Sequence, residues 1–179
     1  ESTGYKVIPV DLMNNTNSGI KKIIEATNEI MVGVNNKRKE KGLMSRAGRV
    51  LIVGIPNAGK STLINALVGY RINKTKTTAC TDRLVTLHNK ITNDGFTLKE
   101  TNGSYRYCRN ICEVNNEYVM EAAFPFNSSL AKERICFVDT PGINNAYESK
   151  HRKITEDAVL KGDYNAVMYV SNSKYFGTN

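Results

Sequence analysis

Residues 54–61, Gly54-Ile55-Pro56-Asn57-Ala58-Gly59-Lys60-Ser61, followed by Thr62, fit G-x-x-x-x-G-K-[ST] without deviation. These residue types at this spacing hold the phosphates of a nucleotide. The two glycines let successive backbone N–H groups curl around one anion. A helix starting at Lys60 points its positive end at the same anion. The Lys60 ammonium then bridges the β- and γ-phosphates, and the Ser61 hydroxyl faces Mg²⁺. A second motif, Asp139-Thr140-Pro141-Gly142, follows an apolar run. An Asp at the end of a strand beside the phosphate-loop strand can hold Mg²⁺ through water, and Gly142 can offer its N–H to a γ-phosphate. Alone, D-x-x-G is common; about 80 residues after a phosphate loop it is specific. Between the motifs, a threonine that senses the γ-phosphate and Mg²⁺ is expected. Thr81 is the first candidate and Thr78 the second, with Thr75 and Thr77 in the same loop.

The elements that must position these residues are legible around them. Val50 to Val53 is a continuous apolar run, the pattern of a strand buried on both faces, and Thr62 to Val68 is a short helix stopped by Gly69. Ile135 to Val138 and Ala166 to Val170 are two further buried runs. Arg83 to His88 and Tyr118 to Phe126 read as strands, Ile154 to Lys161 as a helix, and Asn89 to Asn116 as a hairpin or insertion. Ile20, Ile23, Ile24, Thr27, Ile30, Met31 and Val34 recur at helical spacing and read as core. Tyr5 to Val10 is expected to form an edge strand. Strands alternating with helices predict an α/β, three-layer P-loop NTPase fold with a mostly parallel sheet. The expected division is a strand–helix segment with a basic connector over 1–47, and a nucleotide-binding domain over 48–179.

The chain has 179 residues, enough for one domain, and 40% of them are apolar, enough for a core. No apolar run reaches bilayer-spanning length, and the first residues carry no signal-peptide pattern. With four cysteines read as reduced thiols, the expected setting is cytoplasmic. Cys108 and Cys112 make only a weak zinc pattern, with no second pair. The net charge of +8 favours polyanions such as nucleotides, RNA or anionic lipid. Lys37, Arg38, Lys39, Lys41, Arg46 and Arg49 cluster within 13 residues, interrupted by Glu40. That cluster reads either as a phosphate-backbone contact or as a solvated helix end and linker. Lacking an initial Met and stopping just after an apolar run, the sequence reads as a piece of a longer protein.

G-I-P-N-A-G-K-S together with D-T-P-G resembles the GTPases of the translation-factor-related P-loop class over about residues 48–172. Within that class two resemblances stand side by side. Residues 1 to about 75 resemble circularly permuted ribosome-biogenesis GTPases, with the basic connector leading into the phosphate loop. Residues from about 70 to 179 resemble bacterial dynamin-like GTPases, through Ala79-Cys80-Thr81, D-T-P-G-I-N-N, His151, and Tyr169 to Asn172. Either order places the base-recognition N-K-x-D motif outside this chain.

The resemblance implies binding of GTP with Mg²⁺ and its hydrolysis as a molecular switch. The first form implies work in ribosome assembly, with the connector on ribosomal RNA or a ribosomal particle. The second implies a membrane or self-assembly. A nucleotide-binding module with little hydrolysis is a third reading, because Ile143 stands where many such enzymes carry a water-orienting glutamine. The implied catalytic residues are Lys60, Thr81 and Asn57, the last holding K⁺. Ser61, Thr81 and Asp139 would serve the metal. Residues 54–62 and Gly142 would serve the nucleotide. Pro56 departs from the dynamin-like pattern, which expects a polar residue there.

Overall fold

The computed structural model describes residues 6–11, 16–55, 57–72, 83–110, 118–141 and 149–172. Among them a seven-stranded sheet runs in the order β4-β3-β5-β2-β6-β1-β7. In chain order the elements are α1 (Thr16–Glu40), β1 (Gly48–Gly54), α2 (Lys60–Val68), β2 (Val85–Asn89), β3 (Phe96–Glu100), β4 (Tyr105–Cys108), β5 (Val119–Phe124), β6 (Ile135–Asp139), α3 (Ser149–Lys161) and β7 (Ala166–Val170). β1 pairs in parallel with β6 and β7, and this is the parallel core of the sheet. Direction reverses between β6 and β2, which are antiparallel, and β3 and β4 form an antiparallel hairpin at the far edge. The hairpin is what the Asn89–Asn116 stretch becomes where it is described.

Successive residues of a strand face opposite sides of a sheet, and the two cores follow that alternation. Val50, Ile52, Leu87, Leu98, Phe124 and Phe137 pack on one side with Leu63, Ile64 and Leu67 of α2 and with Ile20, Ile23 and Ile24 of α1. Leu51, Val53, Cys136 and Val138 pack on the other side with Ala158 of α3. The result is the expected three-layer α/β P-loop arrangement. Met31 on α1 lies so close to Gly48 that a Cβ there would sit 2.6 Å from its sulfur. The N-terminal helix is thus packed onto the start of the phosphate-loop strand.

Three expectations change. Ile30, read as part of the core stripe of α1, is 42% exposed. Residues 6–11 form no strand; Ile8 and Val10 pack irregularly against the first core, and Val10 fills the space beside Gly19. Pro9 in a six-residue stretch removes a ladder donor, and helix packing supplies the burial instead. β7 has the composition of a strand covered on both faces, yet Val167 is 53% and Tyr169 57% exposed. It stands at the sheet edge, and among the described residues no helix covers that side of it.

Candidate functional site

The site forms where the carboxyl ends of β1 and β6 meet the amino end of α2. Parallel register sets Ile52 opposite Asp139. Thr140 then turns back to β1, its hydroxyl donating to the Ile52 carbonyl at 2.9 Å. This bond fixes Asp139 at the strand end, with its side chain only 3% exposed. On α3, the buried Thr155 donates to the Pro141 carbonyl at 3.2 Å and holds the turn from below.

The loop before α2 has the backbone that curling around an anion requires. Asn57 has φ 60°, a left-handed conformation that asparagine tolerates better than most side chains, and Gly59 has φ 89°. Gly59 caps α2 without any side-chain hydrogen bond. The first N–H groups of the helix are therefore not taken by a capping side chain and face the loop. Gly54 serves differently from the expectation. It remains within β1, and a Cβ there would collide with the Val170 carbonyl oxygen of β7. Its missing side chain is thus needed for close strand packing as well as for the loop.

Lys60 reaches across the loop to β6. Its ammonium lies 3.0 Å from Asp139 Oδ1 and also donates to the Thr140 carbonyl. With 11% exposure, the lysine side chain is nearly as sheltered as the carboxylate. A cation, a buried carboxylate and an uncapped helix end converge on one point. The hydroxyl-bearing Ser61 and Thr62 occupy the first turn of the same helix and are half-buried. This donor set fits a magnesium–polyphosphate: hard oxygen ligands for the metal, N–H groups and a lysine for the anion.

Of the residues expected from sequence, Gly54, Ile55, Asn57, Ala58, Gly59, Lys60, Ser61, Thr62 and Asp139 fall together here. The Ala58 N–H donates to the Ile55 carbonyl at 3.4 Å, closing the turn of the loop. Pro56, Thr75, Thr77, Thr78, Thr81, Gly142 and Ile143 lie outside the described residues. Thr140 and Thr155 were not singled out. Thr140 was visible as the second residue of D-T-P-G, whereas nothing local marks Thr155.

The two described thiols stay away from this chemistry. Cys108 and Cys136 are buried, and burial pushes the Cys136 thiol up to about 11, which keeps it protonated and unreactive. Cys80 and Cys112 lie outside the described residues.

The model of the dynamin family matches residues 50–176. Ribosome biogenesis GTPase A of Bacillus licheniformis is 48% identical over 69 residues, covering 38% of this chain and 24% of that protein. GTPase Der of Citrifermentans bemidjiense is 34% identical over 85 residues, covering 47% of this chain and 19% of that protein. The chain thus spans about a quarter or less of these relatives. A solved structure of an oligomerised bacterial dynamin pair, described as sensing and tethering membranes at long range, is 19% identical, with a TM-score of 0.47. It covers 69% of this chain and 20% of that one.

Proposed function

Because the chain belongs to the dynamin family, we propose that it binds GTP at the loop between β1 and α2 and hydrolyses the β–γ phosphoanhydride. The observation that carries this reading is the meeting of Lys60 with Asp139 at 3.0 Å, at the end of two parallel strands. Lys60 neutralises charge on the β- and γ-phosphates and the helix N-terminus orients them. Asp139 and Ser61 would hold Mg²⁺, which when bound would supply further charge neutralisation. Thr81, or Thr78, would serve the γ-phosphate and Mg²⁺, and Gly142 would offer the γ-phosphate an N–H. Asn57, in the left-handed conformation, is the residue that would help to hold K⁺. Phosphoryl transfer needs positioning and charge stabilisation more than covalent help. Ile143 cannot orient water, so the intrinsic rate is slow and a partner accelerates it.

Single-turnover hydrolysis of GTP tests this. Wild type should cleave well above the uncatalysed rate, and Lys60→Ala should lose on the order of 100-fold or more. Hydrolysis by Lys60→Ala at the wild-type rate would remove the reading. Nucleotide binding without turnover would leave a switch module in its place.

Residues 1–47 are proposed as a segment packed onto a nucleotide domain of residues 48–179, which the contact between Met31 and Gly48 supports. A cytoplasmic setting accompanies this reading as part of the proposal. Among the described residues no helix is long and apolar enough to cross a membrane.

A second reading, a switch in ribosome assembly that contacts ribosomal RNA, is supported by the similarity to ribosome biogenesis GTPase A. Binding to ribosomal particles that weakens steeply with salt is its expected signature. No binding at low salt would exclude it.

A further inference from the structure

α1 and α3 each bury a threonine, and the two hydroxyls are used differently. Thr27 donates to the Ile23 carbonyl at 2.8 Å, one turn back on its own helix. That is the usual local partner of a threonine inside a helix. Thr155 leaves its helix instead and donates to the Pro141 carbonyl at 3.2 Å, 14 residues earlier in the chain.

Burial alone does not account for a threonine at this position. Among the described residues, α3 buries His151, Thr155 and Ala158, two polar side chains and one small apolar one. Val159 and Leu160 of the same helix are exposed. So little buried apolar surface holds α3 only weakly, and its polar contact with the turn after β6 counts for more in where it sits.

That turn is tied at each of its residues to a different element. Asp139 meets Lys60 of α2 at 3.0 Å. Thr140 donates to the Ile52 carbonyl of β1 at 2.9 Å. Pro141 is held by Thr155 of α3. The first two ties fix the carboxylate proposed for the metal. The third acts further along, on the peptide unit that joins Pro141 to Gly142. A peptide unit is planar, so a hydroxyl that fixes its carbonyl also fixes its N–H. This N–H is the one proposed for the γ-phosphate.

We infer that Thr155 is a positioning residue through which the site prefers a nucleoside triphosphate to the diphosphate. It touches neither nucleotide nor metal and acts through the Pro141 carbonyl. By reciprocity, a bound γ-phosphate strengthens the hold of the turn on α3. The inference rests on the nucleotide reading above and adds to it a group that distinguishes the γ-phosphate.

The test is equilibrium titration of fluorescent GTP and GDP, with Mg²⁺ present, against wild type, Thr155→Val and Thr155→Ser. Thr155→Val keeps the shape of the side chain and removes its hydroxyl. It should weaken GTP by about tenfold and GDP by less than about twofold, and Thr155→Ser should restore the preference for GTP. Equal weakening of both nucleotides by Thr155→Val would make the residue a structural one and overturn the inference. So would a Thr155→Val that prefers GTP as strongly as wild type does. Hydrogen exchange on wild type reaches the same decision without a variant. Amides of α3 should exchange more slowly with a non-hydrolysable GTP analogue bound than with GDP, and equal exchange would also overturn the inference. Wild type that binds neither nucleotide would remove the nucleotide reading and this inference with it. Wild type that prefers GTP beside an indifferent Thr155→Val would remove the inference alone.

Discussion

The β6–β1 half of the sheet and the β2–β5–β3–β4 half are built on different physics. β6 is buried at every residue and β1 at all but Arg49, with helices on both sides. In the other half only one face is covered among the described residues. On its second face Lys99 pairs with Glu121 at 2.8 Å, His88 approaches Glu121 at 3.7 Å, and Tyr105 and Tyr107 stand 70% and 59% exposed. The first half gains its stability from burial and close backbone approach, and it carries the proposed nucleotide site. The second half is joined by side-chain hydrogen bonds and surface pairs.

That contrast yields graded expectations. Gly54→Ala should have the largest effect on stability, because the new Cβ meets backbone on β7 rather than a movable side chain. A loss of about 3 kcal/mol is expected in denaturant titration. A loss below about 0.5 kcal/mol would show that β1 and β7 adjust freely.

Asn89→Ala is the matching change in the other half. The Asn89 amide donates to the carbonyls of Leu130, Ala131 and Glu133, and its oxygen accepts the Phe126 N–H at 2.9 Å. Losing these bonds should cost about 2 kcal/mol, read by the same titration. An effect as large as that of Gly54→Ala would blur the distinction between the halves.

The Lys99–Glu121 pair should contribute far less. A double-mutant cycle with Lys99→Met and Glu121→Gln should give a small coupling that falls with salt. A salt-insensitive coupling several times larger would mean that this face is covered in solution.

His88 should give the smallest signal. Burial, the largest influence, lowers its proton affinity below the ordinary imidazole value, although Glu121 partly opposes this. As pH falls, the unfolded chain therefore takes up the proton first. Stability held by the neutral ring is complete above the ordinary value and is lost as pH falls toward the lower folded value. His88→Gln should flatten the decline in melting temperature between about pH 7.5 and about 5.5. A steeper decline in the variant would reverse the assigned direction.

The two halves also differed in how much of them the sequence disclosed. Val50–Val53 and Ile135–Val138 announce themselves because a strand covered on both faces is apolar at every position, and G-x-x-x-x-G-K-S marks the loop by residue type. Arg83–His88 and Tyr118–Phe126 were legible as strands, but their neighbours in the sheet were not. Pairing is set by long-range register, and no local pattern carries that. Ala166–Val170 misled for the same reason. Its composition reports that it is apolar, not how many layers cover it. The basic cluster looked uniform in sequence, and only the fold brings Arg46 to Asp163 and Arg49 over the Tyr164 ring, each more than a hundred residues on.

The central claim is that Lys60 and Asp139 act together on one bound nucleotide. Equilibrium titration of fluorescent GTP in the presence of Mg²⁺, against wild type, Lys60→Ala and Asp139→Asn, tests it most directly. Saturable binding by wild type, weakened by on the order of 100-fold in Lys60→Ala and weakened in Asp139→Asn only when Mg²⁺ is present, is the predicted result. Wild-type affinity in Lys60→Ala, or a loss in Asp139→Asn that persists without Mg²⁺, would contradict it.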